Sequence, residues 1–196
     1  MSREKIDATA ILLAGGNSRR MGREKIFLPV GSHSLIEHIF YQLYDNFKAI
    51  IISSNNKDKL KSFCTDIIPD RIPGYGPIMG IASALEASET ENNFIIACDI
   101  PDINISFIKM MIAESKDFDV VVPVNTRSQL EPLYAIYKKH IIKAFNEVIS
   151  AGKNKISEVY KLCKVKYVQI EDTAWLKNIN TMQDYQEYLS SKILNP

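Results

Sequence analysis

The chain has 196 residues, 46% hydrophobic and 24% charged, with 24 Lys+Arg against 23 Asp+Glu and a net charge of +1. That profile suits one soluble globular domain, residues 1–196, with a substantial core, and excludes a disordered or fibrous polymer. It gives no reason to expect nucleic acid or an anionic membrane as a partner, and no apolar run approaches the roughly 18 residues of a membrane span. Cys64, Cys98 and Cys163 lie far apart without CxxC spacing, which argues against a zinc site or disulfide framework. The opening MSREKIDATAILLAGG has too short an apolar stretch for a signal peptide, so a cytoplasmic location is expected.

In chain order, Ala8 to Leu13 reads as a buried strand. Residues 12–25, LLAGGNSRRMGREK, then concentrate three glycines and four cations (Arg19, Arg20, Arg23, Lys25). Ser34-x-x-Glu37 is a capping box that opens a helix through Phe47, with Leu35, Ile39 and Leu43 on one face. Ala49 to Ile52 is the next strand, and Pro77 suits the start of a helix carrying Ile78, Ile81, Ala82 and Leu85. Phe94 to Cys98 is a strand, Ser106 to Glu114 a helix, Val120 to Val124 a strand, Leu130 to Tyr137 another, and Lys138 to Val148 a helix. Val165 to Ile170 closes the strands and Met182 to Leu189 the helices. This alternation predicts an α/β fold with a mostly parallel, Rossmann-like sheet covered by helices on both faces.

In such sheets ligands bind beyond the carboxyl ends of the strands. The glycine-rich loop, Ser53-Ser54-Asn55 and Asp99 all follow strands at that edge. Glycines expose backbone N–H groups, and cations neutralise what those amides cradle, so the loop suits a polyphosphate; a solvated basic turn is the alternative. It is not a Walker A loop, and with Gly15 and Gly16 adjacent it is not a GxGxxG fingerprint. Asp99 follows the apolar run FIIAC, and an unpaired carboxylate is costly to bury. It must reach solvent, bind something, or cap the next helix. Asp102 reads as a helix-start residue, His33 and His38 as ordinary surface or core histidines, Cys98 as a buried thiol and Trp175 as a packing residue.

LAGGNSRRMGREK resembles the LAGGxSxRMGxxK loop of the nucleotidyltransferases, and most of all their MobA-type molybdenum cofactor guanylyltransferase branch. The likeness extends to Gly76-Pro77-Ile78-Met79-Gly80, Cys98-Asp99-Ile100-Pro101, Glu131-Pro132-Leu133-Tyr134-Ala135 and Asn178-Ile179-Asn180-Thr181. It implies a three-layer fold like that of nucleotide-diphospho-sugar transferases, and transfer of GMP from GTP to the terminal phosphate of molybdopterin. By the same resemblance, Lys25 and Arg20 grip the triphosphate and Asp99 is both catalytic and the Mg2+ ligand. Leu13, Ala14 and Gly15 line the guanine with their backbone, Gly16 beside them marks the guanylyl branch of the nucleotide site, Asp70 contacts the nucleotide, and Pro77 and Gly80 close its pocket. Asn180 joins the site from the NINT motif, whose other reading is a helix cap. Ser53 stands where the family often carries asparagine, which puts that contact in question; Asn55 is an alternative. Arg127 and Glu131 to Leu133 lie where the pterin would enter. The resemblance further implies transient contact with proteins that make or accept the cofactor.

LAGG and NINT count against a cytidylyltransferase, and the short length counts against a sugar-phosphate nucleotidyltransferase. A non-catalytic nucleotide-binding module would not need both Lys25 and Asp99.

Overall fold

The computed structural model describes residues 4–15, 25–171, 173 and 175–194. Its strands are β1 (Ile6–Leu13), β2 (Pro29–Val30), β3 (His33–Ser34), β4 (Phe47–Ser53), β5 (Asp66–Ile68), β6 (Asn92–Ala97), β7 (Val120–Val124), β8 (Tyr134–Lys138) and β9 (Val165–Gln169). Its helices are α1 (Leu35–Asn46), α2 (Lys57–Leu60), α3 (Pro77–Ala87), α4 (Ile105–Glu114), α5 (Ile142–Ser150), α6 (Ile156–Tyr160) and α7 (Met182–Leu194). Seven strands form one sheet in the order β5-β4-β1-β6-β8-β7-β9, while β2 and β3 make a separate hairpin. All neighbours in the large sheet pair in parallel except β8, which runs against both β6 and β7.

The central strand shows why the fold has three layers. Ala8, Ala10 and Leu12 of β1 join one apolar cluster, with α1, α4 and α7; Ile11 and Leu13 join another, with α3, α5 and α6. A strand buried on both faces reads as a near-continuous apolar run, which residues 8–13 are apart from Thr9, whose hydroxyl pairs with Thr90 Oγ1 at 2.7 Å. The helices start where local chemistry allows. Ser34 Oγ accepts from the Glu37 amide while Glu37 Oε2 accepts from the Ser34 amide at 2.7 Å, so the capping box of α1 is complete. Pro77 occupies the first turn of α3, and Asn104 caps α4 by accepting from the Phe107 amide at 3.0 Å.

Three expectations need correction. The strand expected from Leu130 begins at Tyr134, and Leu130 itself makes only an isolated bridge to Val124. Pro132 has no N–H for a ladder, and the Tyr134 amide turns back to the Glu131 carbonyl at 3.1 Å. The helix expected from Lys138 begins later: Lys138 stays in β8, residues Lys139–Ile141 form a 3-10 turn, and α5 starts at Ile142. Asp102 does not start α4, because Asn104 is the cap. Instead the Asp102 carboxylate accepts from Tyr188 Oη at 3.0 Å and pairs with Lys192 Nζ at 2.8 Å, tying its loop to α7.

Candidate nucleotide-binding cleft

The parallel strands end in register: Leu13 is level with Ser53 on one side and Ala97 on the other, and Ser53 is level with Ile68. Their following loops therefore open on one edge, where a cleft of about 880 Å³ runs across the sheet. The reversed strand β8 enters at this edge, where the Leu133 carbonyl accepts from the Ala97 amide at 3.0 Å, bringing Leu133 into the cleft wall. A second hollow of about 470 Å³, along Asp102–Ser106, Lys109 and Trp175, shares no lining residue with the cleft.

At the β6 end, Lys25 Nζ stands 3.5 Å from Asp99 Oδ2, with the two side chains 11% and 26% exposed. Lys25 belongs to a 3-10 turn, Lys25–Phe27, and Asp99 follows β6. The Asp99 loop is fixed along its length. The Asp99 carbonyl accepts from the Ile179 amide (2.8 Å), and the Pro101 carbonyl from Gln42 Nε2 (2.9 Å). The Asn104 amide donates to Tyr134 Oη at 3.0 Å. Asp99 therefore caps no helix; its carboxylate reaches the cleft. Burial, reinforced by the charge on Asp99, pushes the Cys98 thiol up to about 12, which makes it no nucleophile near neutral pH. Glu131 sits close enough to feel Asp99. Burial and that charge hold its carboxyl above the ordinary value, opposed by a hydrogen bond from Asn125 Nδ2 at 3.1 Å.

At the β4–β5 end, Ser53, Asp70 and Gly80 converge with Leu13. A Cβ on Gly80 would lie 2.8 Å from Ser53 Oγ, 3.4 Å from Asp70 Oδ1 and 3.5 Å from Leu13 Cδ2, so only glycine fits without displacing the serine. Gly76, just before Pro77, has φ +83° and ψ −170°, a conformation essentially restricted to glycine. Glycine before Pro77 is thus a backbone requirement of the turn that leads into α3.

The described residues expected in the site, Leu13, Ala14, Gly15, Lys25, Ser53, Asp70, Pro77, Gly80, Asp99 and Asn180, all line this one cleft. Gly16 and Arg20, with Arg19 and Arg23, lie outside the described residues. The Ala14 amide donates to the Ser53 carbonyl at 2.9 Å and its carbonyl accepts from Ser54 Oγ at 3.3 Å, so the Ala14 backbone is already committed to joining β1 and β4. The NINT motif divides its work. Ile179 is buried and binds the Asp99 loop, Asn180 lines the cleft, and Thr181 caps α7 by accepting from the Asp184 amide at 3.1 Å. Asp184 returns the contact to the Thr181 and Asn180 amides at 2.8 Å. Arg127 lies in the turn ordered by Asn125, whose Oδ1 accepts from the Arg127 amide at 2.9 Å. Trp175 packs on Phe107 and Tyr134, and His33 on Tyr41.

Sequence reasoning passed over Ile26, Phe27, Asn56, Lys59 and Gly74, which also line the cleft, and the weight carried by Asn55. The Asn55 signal was available in the run Ser53-Ser54-Asn55-Asn56 directly after an apolar strand, a place where short polar side chains order loops.

A doubly covered α/β sheet, with a cation–carboxylate pair at one end of its edge cleft and a glycine-floored polar recess at the other, defines the class of nucleotide-dependent transferases. Comparison makes the assignment specific: residues 10–169 match the family model of the MobA-like NTP transferase domain, and the chain belongs to that family. It is 36% identical to a probable molybdenum cofactor guanylyltransferase of Pelotomaculum thermopropionicum, over 91% of this chain and 90% of that one. It is 33% identical to a protein described in the same words from Carboxydothermus hydrogenoformans, over 92% and 94% of the two chains. The crystal structure of molybdopterin-guanine dinucleotide biosynthesis protein A from Archaeoglobus fulgidus superposes with a TM-score of 0.79 at 25% identity, covering 94% of this chain and 99% of that one.

Proposed function

We propose that residues 1–196 act as one nucleotidyltransferase domain, transferring GMP from GTP to the terminal phosphate of molybdopterin and releasing pyrophosphate. An oxygen of the pterin phosphate forms a new bond to the α-phosphorus of GTP. The bond from that phosphorus to the bridging oxygen breaks, and pyrophosphate leaves with the electron pair. Two anions must meet, so the barrier is mainly electrostatic and positional. A phosphate monoester is already ionised at neutral pH and needs no general base. The described cleft residues are suited to this: they include no histidine, and the one cysteine among them, Cys98, is held protonated.

The observation that carries the reading is the Lys25–Asp99 pair, 3.5 Å apart and opening on the cleft. Lys25 neutralises charge on the leaving pyrophosphate, with Arg20 assigned to the same phosphates. Asp99 is the ligand for Mg2+: a solvent-reaching carboxylate with no cluster of three metal-binding side chains among the described residues. That set fits magnesium, which takes one or two carboxylates and completes its shell with phosphate oxygens and water. When bound, the ion supplies positive charge to the phosphate oxygens. The Leu13-Ala14-Gly15-Gly16 segment, Ser53, Asp70, Pro77, Gly80 and Asn180 bind the nucleoside, and the Glu131–Leu133 segment borders the acceptor. Transient contact with cofactor-making or cofactor-accepting proteins, and residence in the cytoplasm, follow from that role. No helix among the described residues is long and apolar enough to cross a membrane.

The test is to incubate the protein with magnesium, molybdopterin and labelled GTP or CTP. Guanine dinucleotide from GTP alone is expected. Product from CTP alone overturns the guanylyl assignment, and tight GTP binding without product favours a non-catalytic module.

A further inference from the structure

Asp70 owes its direction to one neighbour. Asn55 Nδ2 donates to Asp70 Oδ2 at 2.9 Å, and the Asp70 amide donates to Asn55 Oδ1 at 2.8 Å. This reciprocal clamp fixes both the backbone and one carboxylate oxygen of Asp70. The other oxygen, Oδ1, points toward the recess floored by Gly80, 3.4 Å from where a Cβ there would stand. Ser53 Oγ lies against Gly80, 2.8 Å from where that Cβ would stand. Asn55 approaches from the next turn of the same loop and does the orienting.

The sheet supplies a ruler for what Oδ1 meets. Asp70 follows β5 and Asp99 follows β6, with β4 and β1 between them. Three strand spacings of about 4.8 Å put the two ends of the cleft about 14 Å apart. With the triphosphate at Lys25 and Asp99, the β4–β5 end receives the base. A carboxylate oxygen there can only accept, so it favours a base edge that offers donors and disfavours one that turns an acceptor toward it. Guanine offers a ring N–H next to an exocyclic amino group; cytosine and adenine place an acceptor beside theirs.

We infer that Asn55 is a positioning residue for base selection, holding Asp70 so that Oδ1 accepts from the donor edge of guanine. This rests on the nucleotide role proposed for Asp70. The test compares GTP with ITP, which lacks the exocyclic amino group, as donors for the full chain with magnesium and molybdopterin. Asn55→Ala and Asn55→Asp are expected to raise KM for GTP about tenfold, the worth of one lost oriented hydrogen bond to a charged group, with kcat within about twofold. They should also narrow the preference for GTP over ITP, as Asp70→Ala does, and the double variant Asn55→Ala/Asp70→Ala should be no worse than Asp70→Ala alone. An Asn55→Ala enzyme with unchanged KM and unchanged GTP:ITP preference, beside an impaired Asp70→Ala, overturns the positioning role alone. An unimpaired Asp70→Ala enzyme overturns the nucleotide role of Asp70 and this inference with it.

Discussion

The two ends of the central sheet use the same kinds of charged residue for opposite purposes. At the cleft edge Lys25 and Asp99 face each other across 3.5 Å, and each has coordination capacity left for a ligand. At the opposite edge His140 is saturated: Nδ1 meets Glu91 Oε1 and Nε2 meets Asp119 Oδ1, both at 2.9 Å. There Asp119 also accepts from the Lys164 amide at 2.8 Å. A charge cluster closed on itself in this way fastens strand ends, whereas the Lys25–Asp99 pair faces the cleft. Titratable side chains alone do not distinguish the two, but their surroundings do.

The sharpest way to break this contrast is to remove the open pair. Lys25→Ala or Asp99→Ala should lower kcat by about 10²-fold or more, the scale for losing a preorganised charge, while the thermal unfolding midpoint stays near that of the parent. Parent-like turnover in either variant would mean the pair is only another fastening. Next in size is Gly80→Ala. Its Cβ meets Ser53 Oγ at 2.8 Å, and overpacking of this kind costs about 1–3 kcal/mol, felt as a raised KM for GTP and a lower melting point. Adding Ser53→Ala should restore part of the packing loss, readable by calorimetry; no recovery would move the obstruction elsewhere.

A smaller effect is expected at α1. Ser34→Ala removes the cap and should cost about 1 kcal/mol in denaturant unfolding with kcat unaltered. Smallest is the opposite-edge cluster, exposed and screened. Glu91 and Asp119 raise the His140 imidazole above its ordinary 6.5, against some burial. Burial alone would raise Asp119, but the Lys164 amide and His140 outweigh it and hold it low. The raised His140 therefore contributes stability that is complete below pH 6.5 and fades as pH climbs through its folded value; Asp119 contributes above the ordinary carboxylate range and fades as pH falls through its lowered value. His140→Gln should flatten the alkaline side of the melting-point–pH curve while leaving turnover intact. A curve superimposable on the parent's would deny the cluster its fastening role.

Much of the fold was legible because it is local. The two-sided burial of β1, the capping box at Ser34 and the proline opening α3 each declare themselves within a dozen residues. β5 was missed because three residues, Asp66–Ile68, are too few to show a period. Asp102 was misread because its partners, Tyr188 and Lys192, arrive from the far end of the chain. The cleft's membership could be read from its loops. What could not be read is how its members hold one another: Asn55 on Asp70, Ser53 against Gly80. Those relations depend on strand order and register, which no window of sequence carries.

The grip of α7 on the Asp99 loop bears on biosynthesis. The β4–β5 end of the cleft is assembled from residues 13–80, whereas the Asp99 loop is braced by Ile179, Tyr188 and Lys192. Since a domain generally folds as a unit, the Asp99 loop lacks these braces until the last stretch of the chain has left the ribosome. A translation product stalled before residue 179 would therefore lack the Ile179 bond to the Asp99 carbonyl and the ties from Tyr188 and Lys192 to Asp102.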